Sequence, residues 1–285
     1  MVCTIWVTTD SYEGPTLTFP KLWPILLFLS PFIVGLKVFA WHQLTKGLGI
    51  ALDLNQTLKA CVLSILGRYI PGKVFFVVGR LQAYGLKGEA LKQGTFGMVL
   101  EFIYETMAGA FLMMVALGLG YFSGTTSTVL WPLSVCVILG GIFSPWLLKR
   151  LSHLHRTLSI SIPAQGNVTS LILMPLIWTL LQWAFYLGSL FLWMGEPIGL
   201  SLQSMFAIGA ILSFSSLVGT LSLLTPGGLG VREAMATMGF TALGIDWQQG
   251  LALAFAARCI LWGSELFCGG LWLCLDKLRP KPRNT

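Results

Sequence analysis

Charge is what this chain has least of. Only 10% of its 285 residues are Asp, Glu, Lys or Arg, where a soluble domain usually carries about 25%. Hydrophobic residues make up 55%, too many to hide in a water-facing fold, so a soluble enzyme or binding module is excluded. Histidine is nearly missing, with three in the chain at 42, 153 and 155, near the ends of apolar runs. The six cysteines (3, 61, 136, 259, 268 and 274) mostly fall inside apolar runs. Neither Cys-x-x-Cys nor His-paired metal spacing occurs, so they read as small buried hydrophobes and no metal or cofactor is expected. No nucleotide-binding loop is present, which excludes a self-contained ATP-driven pump. No Ser–His, paired-Asp or His–Glu constellation stands out either. An enzyme is therefore not expected, and an intramembrane one is the least favoured option. The first 21 residues hold Asp10 and Glu13 with one cation, Lys21, so the basic start of a secretory signal is lacking.

The charge that is present has an order. The net +7 is not gathered into a basic domain, and nucleic acid is not an expected partner. Many cations sit at the ends of apolar runs, as in "LLKRLSHLHR" (147–156) and the tail from 276 to 285. That placement marks cytoplasmic flanks beside anionic headgroups. Spanning runs of about 20 residues occupy 22–41, 97–121, 128–148, 171–195, 203–224 and 251–275, and two shorter pieces occupy 56–80 and 227–243. Trp and Tyr gather at several run ends, as interfacial anchors do. The fold expected is all-α, a polytopic transmembrane helix bundle of about seven or eight segments. It forms one membrane domain over 22–275, behind a 1–21 segment too short in apolar residues to span and before a basic 276–285 tail. The tail and the 149–156 connection are placed in the cytoplasm and residues 1–21 outside, in what is expected to be a bacterial inner membrane.

Both short pieces carry Pro-Gly, at Pro71-Gly72 and Pro226-Gly227. Loop charges put both flanks of 56–80 in the cytoplasm and both flanks of 203–243 outside, so each Pro-Gly segment is drawn as a hairpin or broken helix. The two enter from opposite faces. Repeat 1 (about 22–121) and repeat 2 (about 171–275), joined by 128–148, then form an inverted pair, the arrangement that places transporter sites at the midplane. Two ordinary Pro-kinked helices remain the alternative.

Ionisable residues cluster at these breaks. Arg68, Lys73 and Arg80 surround Pro71 and Gly72, followed by Glu101 and Glu105 one turn apart on one helix face. Arg232 and Glu233 follow Pro226, Gly227, Gly228 and Gly230, with Arg258 and Glu265 seven residues apart beyond them. Charges inside spans are costly and usually face a wet cavity or pair with each other. For Lys37, Arg80 and Glu265 a structural or snorkelling role is preferred. For Arg68, Lys73, Arg232 and Glu233, beside the breaks, binding of an anionic group is preferred. A half-helix starting after Gly230 would offer bare N–H groups to a phosphate, with Gly227 and Gly228 leaving room for it.

At these residues a family resemblance emerges. "LLTPGGLGVREA" (223–234) and the helix through Arg258 resemble the lysylphosphatidylglycerol synthase transmembrane-domain family, also called flippase-like. Pro226, Gly227, Gly228, Gly230, Glu233 and Arg258 stand at its Pro-Gly-Gly-x-Gly-x-x-Glu and Arg positions. "GRYIPGKVFFVVGR" (67–80) is similar to its first Pro-Gly segment, and "VLEFIYE" (99–105) to its Glu-bearing helix. Phe102 and Glu105 here replace that helix's usual Arg and Asp. The family's soluble aminoacyltransferase domain is not matched, so synthase activity is not implied. The resemblance, over roughly 22–275, implies a membrane portion that moves or handles an anionic phospholipid or a polyprenyl-linked glycolipid. A non-transporting subunit that docks a glycosyltransferase or synthase is the alternative.

Overall fold

The computed structural model describes residues 23–50, 52–67, 80–81, 85, 88–122, 125–154, 169–222 and 225–278. Eight α-helices run through them: α1 (Trp23–Gly47), α2 (Leu54–Gly67), α3 (Gly88–Gly118), α4 (Thr125–Leu154), α5 (Met174–Ile198), α6 (Ser204–Leu221), α7 (Val231–Ala242) and α8 (Trp247–Leu278). A π-turn (Thr169–Leu173) leads into α5 and a 3-10 turn (Pro226–Gly228) separates α6 from α7. No strand occurs among the described residues. The polytopic helical bundle read from composition and run length is the observed architecture.

Five of these helices contain windows long and apolar enough to cross a membrane: Ala90–Gly118, Ser127–Ser144, Leu171–Met194, Ser204–Leu221 and Trp247–Cys274. Each coincides with a run read from the sequence. The protein is an integral membrane protein, and a helix is the form in which its backbone satisfies itself there. α3 begins at Gly88, nine residues before the apolar run. Lys92 and Gln93 look like a boundary in sequence, yet a helix continues past its apolar stretch into polar surroundings at little cost. α2 opens on a capping box: Asp53 Oδ1 accepts the Gln56 N–H, and Gln56 Oε1 accepts the Asp53 N–H at 3.1 Å.

Two hydrophobic cores hold the bundle. One joins α1, α2 and α3 through Trp41, Leu44, Cys61, Leu100 and Tyr104. The other joins α5, α6, α7 and α8 through Leu190, Ile208, Phe240 and Leu253. α3 packs on α6 so closely that a Cβ on Gly109 would fall 1.9 Å from Ser213 Oγ. α4 packs mainly on α3 and turns Val129, Leu133, Leu139, Phe143 and Trp146 outward, the surface expected to face lipid.

The second Pro-Gly piece is a break between two antiparallel helices. α7 has 12 residues and so reaches about 18 Å, too short for a hydrocarbon layer of about 30 Å. It packs against α6 on one side and α8 on the other. Arg68, Pro71, Gly72 and Lys73 of the first piece lie outside the described residues.

Candidate functional site

A single cavity gathers the charges of both halves. It admits water-sized molecules over about 210 Å³ and is lined by α1, α3, α5, α6, α7 and α8 together with Gly227 of the break. Its walls are apolar at Ile33, Val34, Met98, Leu217 and Leu261, and charged at Lys37, Glu101, Glu105, Arg232 and Glu265. Helix geometry explains the convergence. Glu101 and Glu105 are one turn apart on α3, and Ser213, Ser216 and Thr220 recur at three and four residues along α6.

On the α1–α3 side, Arg80 is completely buried, with its guanidinium 4.5 Å from the Trp41 ring centre and ion-paired to Glu101. Burial of a guanidinium is tolerable because the carboxylate and the indole face replace the water it loses. Lys37 Nζ lies between two carboxylates, 3.3 Å from Glu105 Oε1 and 3.9 Å from Glu101 Oε1. Trp183 of α5 donates its indole N–H to Glu105 Oε2 at 3.1 Å. The cation paired with Glu105 comes from the neighbouring α1, as Lys37.

Around the second break the same residue types are arranged differently. Glu233 turns back to accept the Gly230 N–H at 2.8 Å, so this carboxylate caps the α7 terminus. Its other oxygen lies 3.5 Å from Arg258 Nε, and Arg258 also donates to the Gly227 carbonyl at 2.8 Å. The pair therefore ties the two ends of the turn to α8. Arg258 is buried, with its guanidinium 5.0 Å from the Trp262 ring centre. Arg232 leaves the same turn toward the cavity, donating to the Ser216 carbonyl and Thr220 hydroxyl, each at 3.4 Å.

These positions change the roles expected from the sequence at several residues. Gly228 was expected to leave room for a phosphate. Its φ is +73°, and a Cβ there would meet the Gly219 carbonyl oxygen at 2.7 Å, so its bareness serves the close approach of the break to α6. Gly230, at φ +80° with open space around it, supplies the N–H that Glu233 occupies. An anion arriving at α7 meets Arg232 rather than a bare helix end. Lys37 and Arg80, expected to be structural or to snorkel, stand at the cavity wall and buried behind it. Glu265 lines the cavity as well. Trp183 and Gln182 had not been singled out. The Gln182 amide oxygen is buried without a hydrogen-bond partner among the described residues. The polar stripe of Ser213, Ser216 and Thr220 on an apolar helix was the legible signal for this wall.

Fold and cavity together define a polytopic helical membrane protein with a charged site lined by six of its helices. A family model described as the lysylphosphatidylglycerol synthase TM region matches residues 6–265, and the chain belongs to that family. Membership relates it to lipid handling. No curated protein and no solved structure gives a match.

Proposed function

We propose that the protein is a flippase- or scramblase-like transporter that takes the headgroup of a phosphate-bearing lipid into this cavity. The substrate class is an anionic phospholipid or a polyprenyl-linked glycolipid, and the protein is not itself an enzyme. The observation that carries the reading is the meeting of Lys37 and Arg232 in one space between spanning helices. Two cations from opposite halves suit a phosphate, and fork-shaped guanidinium recognition suits its oxygens. Ser213, Ser216, Thr220 and the Gln182 amide offer hydrogen bonds to headgroup hydroxyls. The apolar walls suit acyl or prenyl chains. Arg68 and Lys73 extend the cationic set in sequence. With no nucleotide-binding loop in the chain, movement is either facilitated or coupled to an ion gradient. The C-terminal tail is assigned to the cytoplasm of a bacterial inner membrane, by its Lys and Arg content.

Reconstitution tests this. Purified protein in liposomes carrying a fluorescent phosphatidylglycerol should make inner-leaflet lipid accessible to an external quencher faster than empty liposomes do. Correctly inserted protein that moves neither this lipid nor a polyprenyl phosphate would leave the alternative, a subunit that serves a synthase or glycosyltransferase.

A further inference from the structure

Two of the carboxylates at or behind the cavity are fastened in place. Glu101 is paired with the fully buried Arg80, and Glu233 is held by the Gly230 N–H and Arg258. Glu105 is held differently. Its partners are the Lys37 ammonium at 3.3 Å and the neutral Trp183 N–H at 3.1 Å. Lys37 is shared, since Glu101 lies 3.9 Å from the same nitrogen. The Lys37 and Glu105 side chains are 20% and 27% exposed, more than those of Glu101, Arg80, Glu233 and Arg258. Lys37 is thus a cation with two places to go, and only one of its carboxylates has a second cation.

We propose that Glu105 is a proton-binding site, loaded when an anionic headgroup draws Lys37 away from it. This rests on the lipid reading above and adds a co-substrate to it. A phosphodiester oxygen competes with Glu105 for the ammonium, forming a charge-assisted hydrogen bond as short and strong as the one it replaces. Lys37 keeps its proton and remains beside Glu101. Glu105 then retains one neutral donor in a largely apolar wall, where a bare carboxylate is costly. A proton from the water reaching the cavity forms an O–H bond on Glu105 and removes that charge. Nothing is oxidised or reduced, and the phosphodiester stays an anion. Lipid and proton therefore enter as an electroneutral pair, and both leave when Lys37 returns.

The surroundings favour Glu105 over its neighbours. Among the described residues, the charged and titratable groups around it are Lys37 from α1, Glu101 on its own helix with Arg80 behind, Tyr186 from α5, Arg232 from α7 and Glu265 from α8. α6 contributes the Ser213, Ser216 and Thr220 hydroxyls. Protonating Glu101 would remove the charge from the buried ion pair with Arg80, and protonating Glu233 would unfasten the break. Protonating Glu105 strands nothing, because Lys37 has already found the phosphate.

The test needs no transport. Full-length protein in non-ionic detergent, weakly buffered near neutrality with a pH indicator, is titrated with short-chain phosphatidylglycerol. Native mass spectrometry counts the lipid bound. A phosphodiester does not titrate in this range, so any uptake belongs to the protein. Wild type should take up a proton for each lipid bound. Glu105→Gln, which keeps the volume and the Trp183 contact, should bind lipid with uptake at background, and Asp246→Asn, at the exposed start of α8 outside the cavity, should retain uptake. Wild-type binding without uptake, or undiminished uptake in Glu105→Gln, overturns the proposal. If Glu105→Gln does not fold, Lys37→Met replaces it: with no ammonium for the headgroup to draw away, proton uptake per bound lipid should fall to background. Undiminished uptake there also overturns the proposal. Absence of lipid binding by wild type sinks the lipid reading itself, and the proton site with it.

Discussion

Around the second break, Arg258 binds a carbonyl on one side of the turn and a carboxylate that caps the helix on the other. Around α1 and α3, Lys37 reaches two carboxylates on one helix face and is fixed to neither. Both clusters pair cations with glutamates inside a membrane bundle, and composition alone does not separate them. The difference lies in the number of bonds each charge has to the backbone. Arg258 and Glu233 each grip a main-chain group, so neither can leave without opening the break. Lys37 and Glu105 grip only side chains, so exchanging partners leaves the helices where they are. Arg80 resembles Arg258 in burial, and by clamping Glu101 it leaves Lys37 movable.

The comparison is most severely tested by removing the fastening. Arg258→Ala leaves the Glu233 carboxylate without its cation and the Gly227 carbonyl without a donor. Breaking a buried pair in this way costs about 3–5 kcal/mol. The variant should be recovered poorly from the membrane and melt well below wild type by a fluorescence-monitored thermal ramp. Gly228→Val comes next. Its side chain has no room against Gly219 and its backbone sits at positive φ, so a loss of about 1–3 kcal/mol follows from strain alone. Gly230→Ala shares the positive φ but has open space around it, and should melt between Gly228→Val and wild type. If Gly228→Val melts like wild type, the approach of the break to α6 is looser than described.

On the working side the order of effects reverses. Lys37→Met should melt near wild type, because the groups it leaves are a partly exposed Glu105 still bonded to Trp183 and a Glu101 still bonded to Arg80. Lipid movement in liposomes should nevertheless drop by about tenfold, the loss of roughly one charge-assisted contact. Equal damage to melting and movement would make Lys37 a second fastening and erase the contrast. The smallest effect is expected at Tyr186→Phe. Its hydroxyl donates to the Ala257 carbonyl at 3.0 Å beside the fastened cluster, and its loss should cost about 1 kcal/mol, visible as a small shift in melting with movement nearly unchanged.

The helical bundle was legible in the sequence because run length and the scarcity of charge are additive properties, readable without neighbours. The Pro-Gly-Gly break was legible for the same reason, since Pro226 and its glycines act on their own backbone. Glu101 and Glu105 could be placed on one face by spacing alone. What could not be read was who faces them. Lys37 sits 64 residues before Glu101 in a different helix, and only the packing of α1 against α3 brings it there. Gly228 carried the same ambiguity: a bare backbone accommodates a ligand or a neighbouring helix equally well, and the approach of Gly219 is visible only in the packing. Glu233 could have been predicted as a cap, three residues after Gly230, but a phosphate and a carboxylate compete for the same helix end.

The central claim is that the cavity cation at the start of α7 receives a lipid phosphate, and one comparison reaches it most directly. Wild type, Arg232→Ala and Arg232→Lys are reconstituted at matched density, with insertion verified, and phosphatidylglycerol movement is measured in each. Arg232 donates to two neutral oxygens of α6 at 3.4 Å, and all three proteins are compared only as inserted, folded material. The account predicts movement near background for Arg232→Ala and partial movement for Arg232→Lys, which keeps the charge without the fork. Wild-type movement by well-folded Arg232→Ala would contradict it.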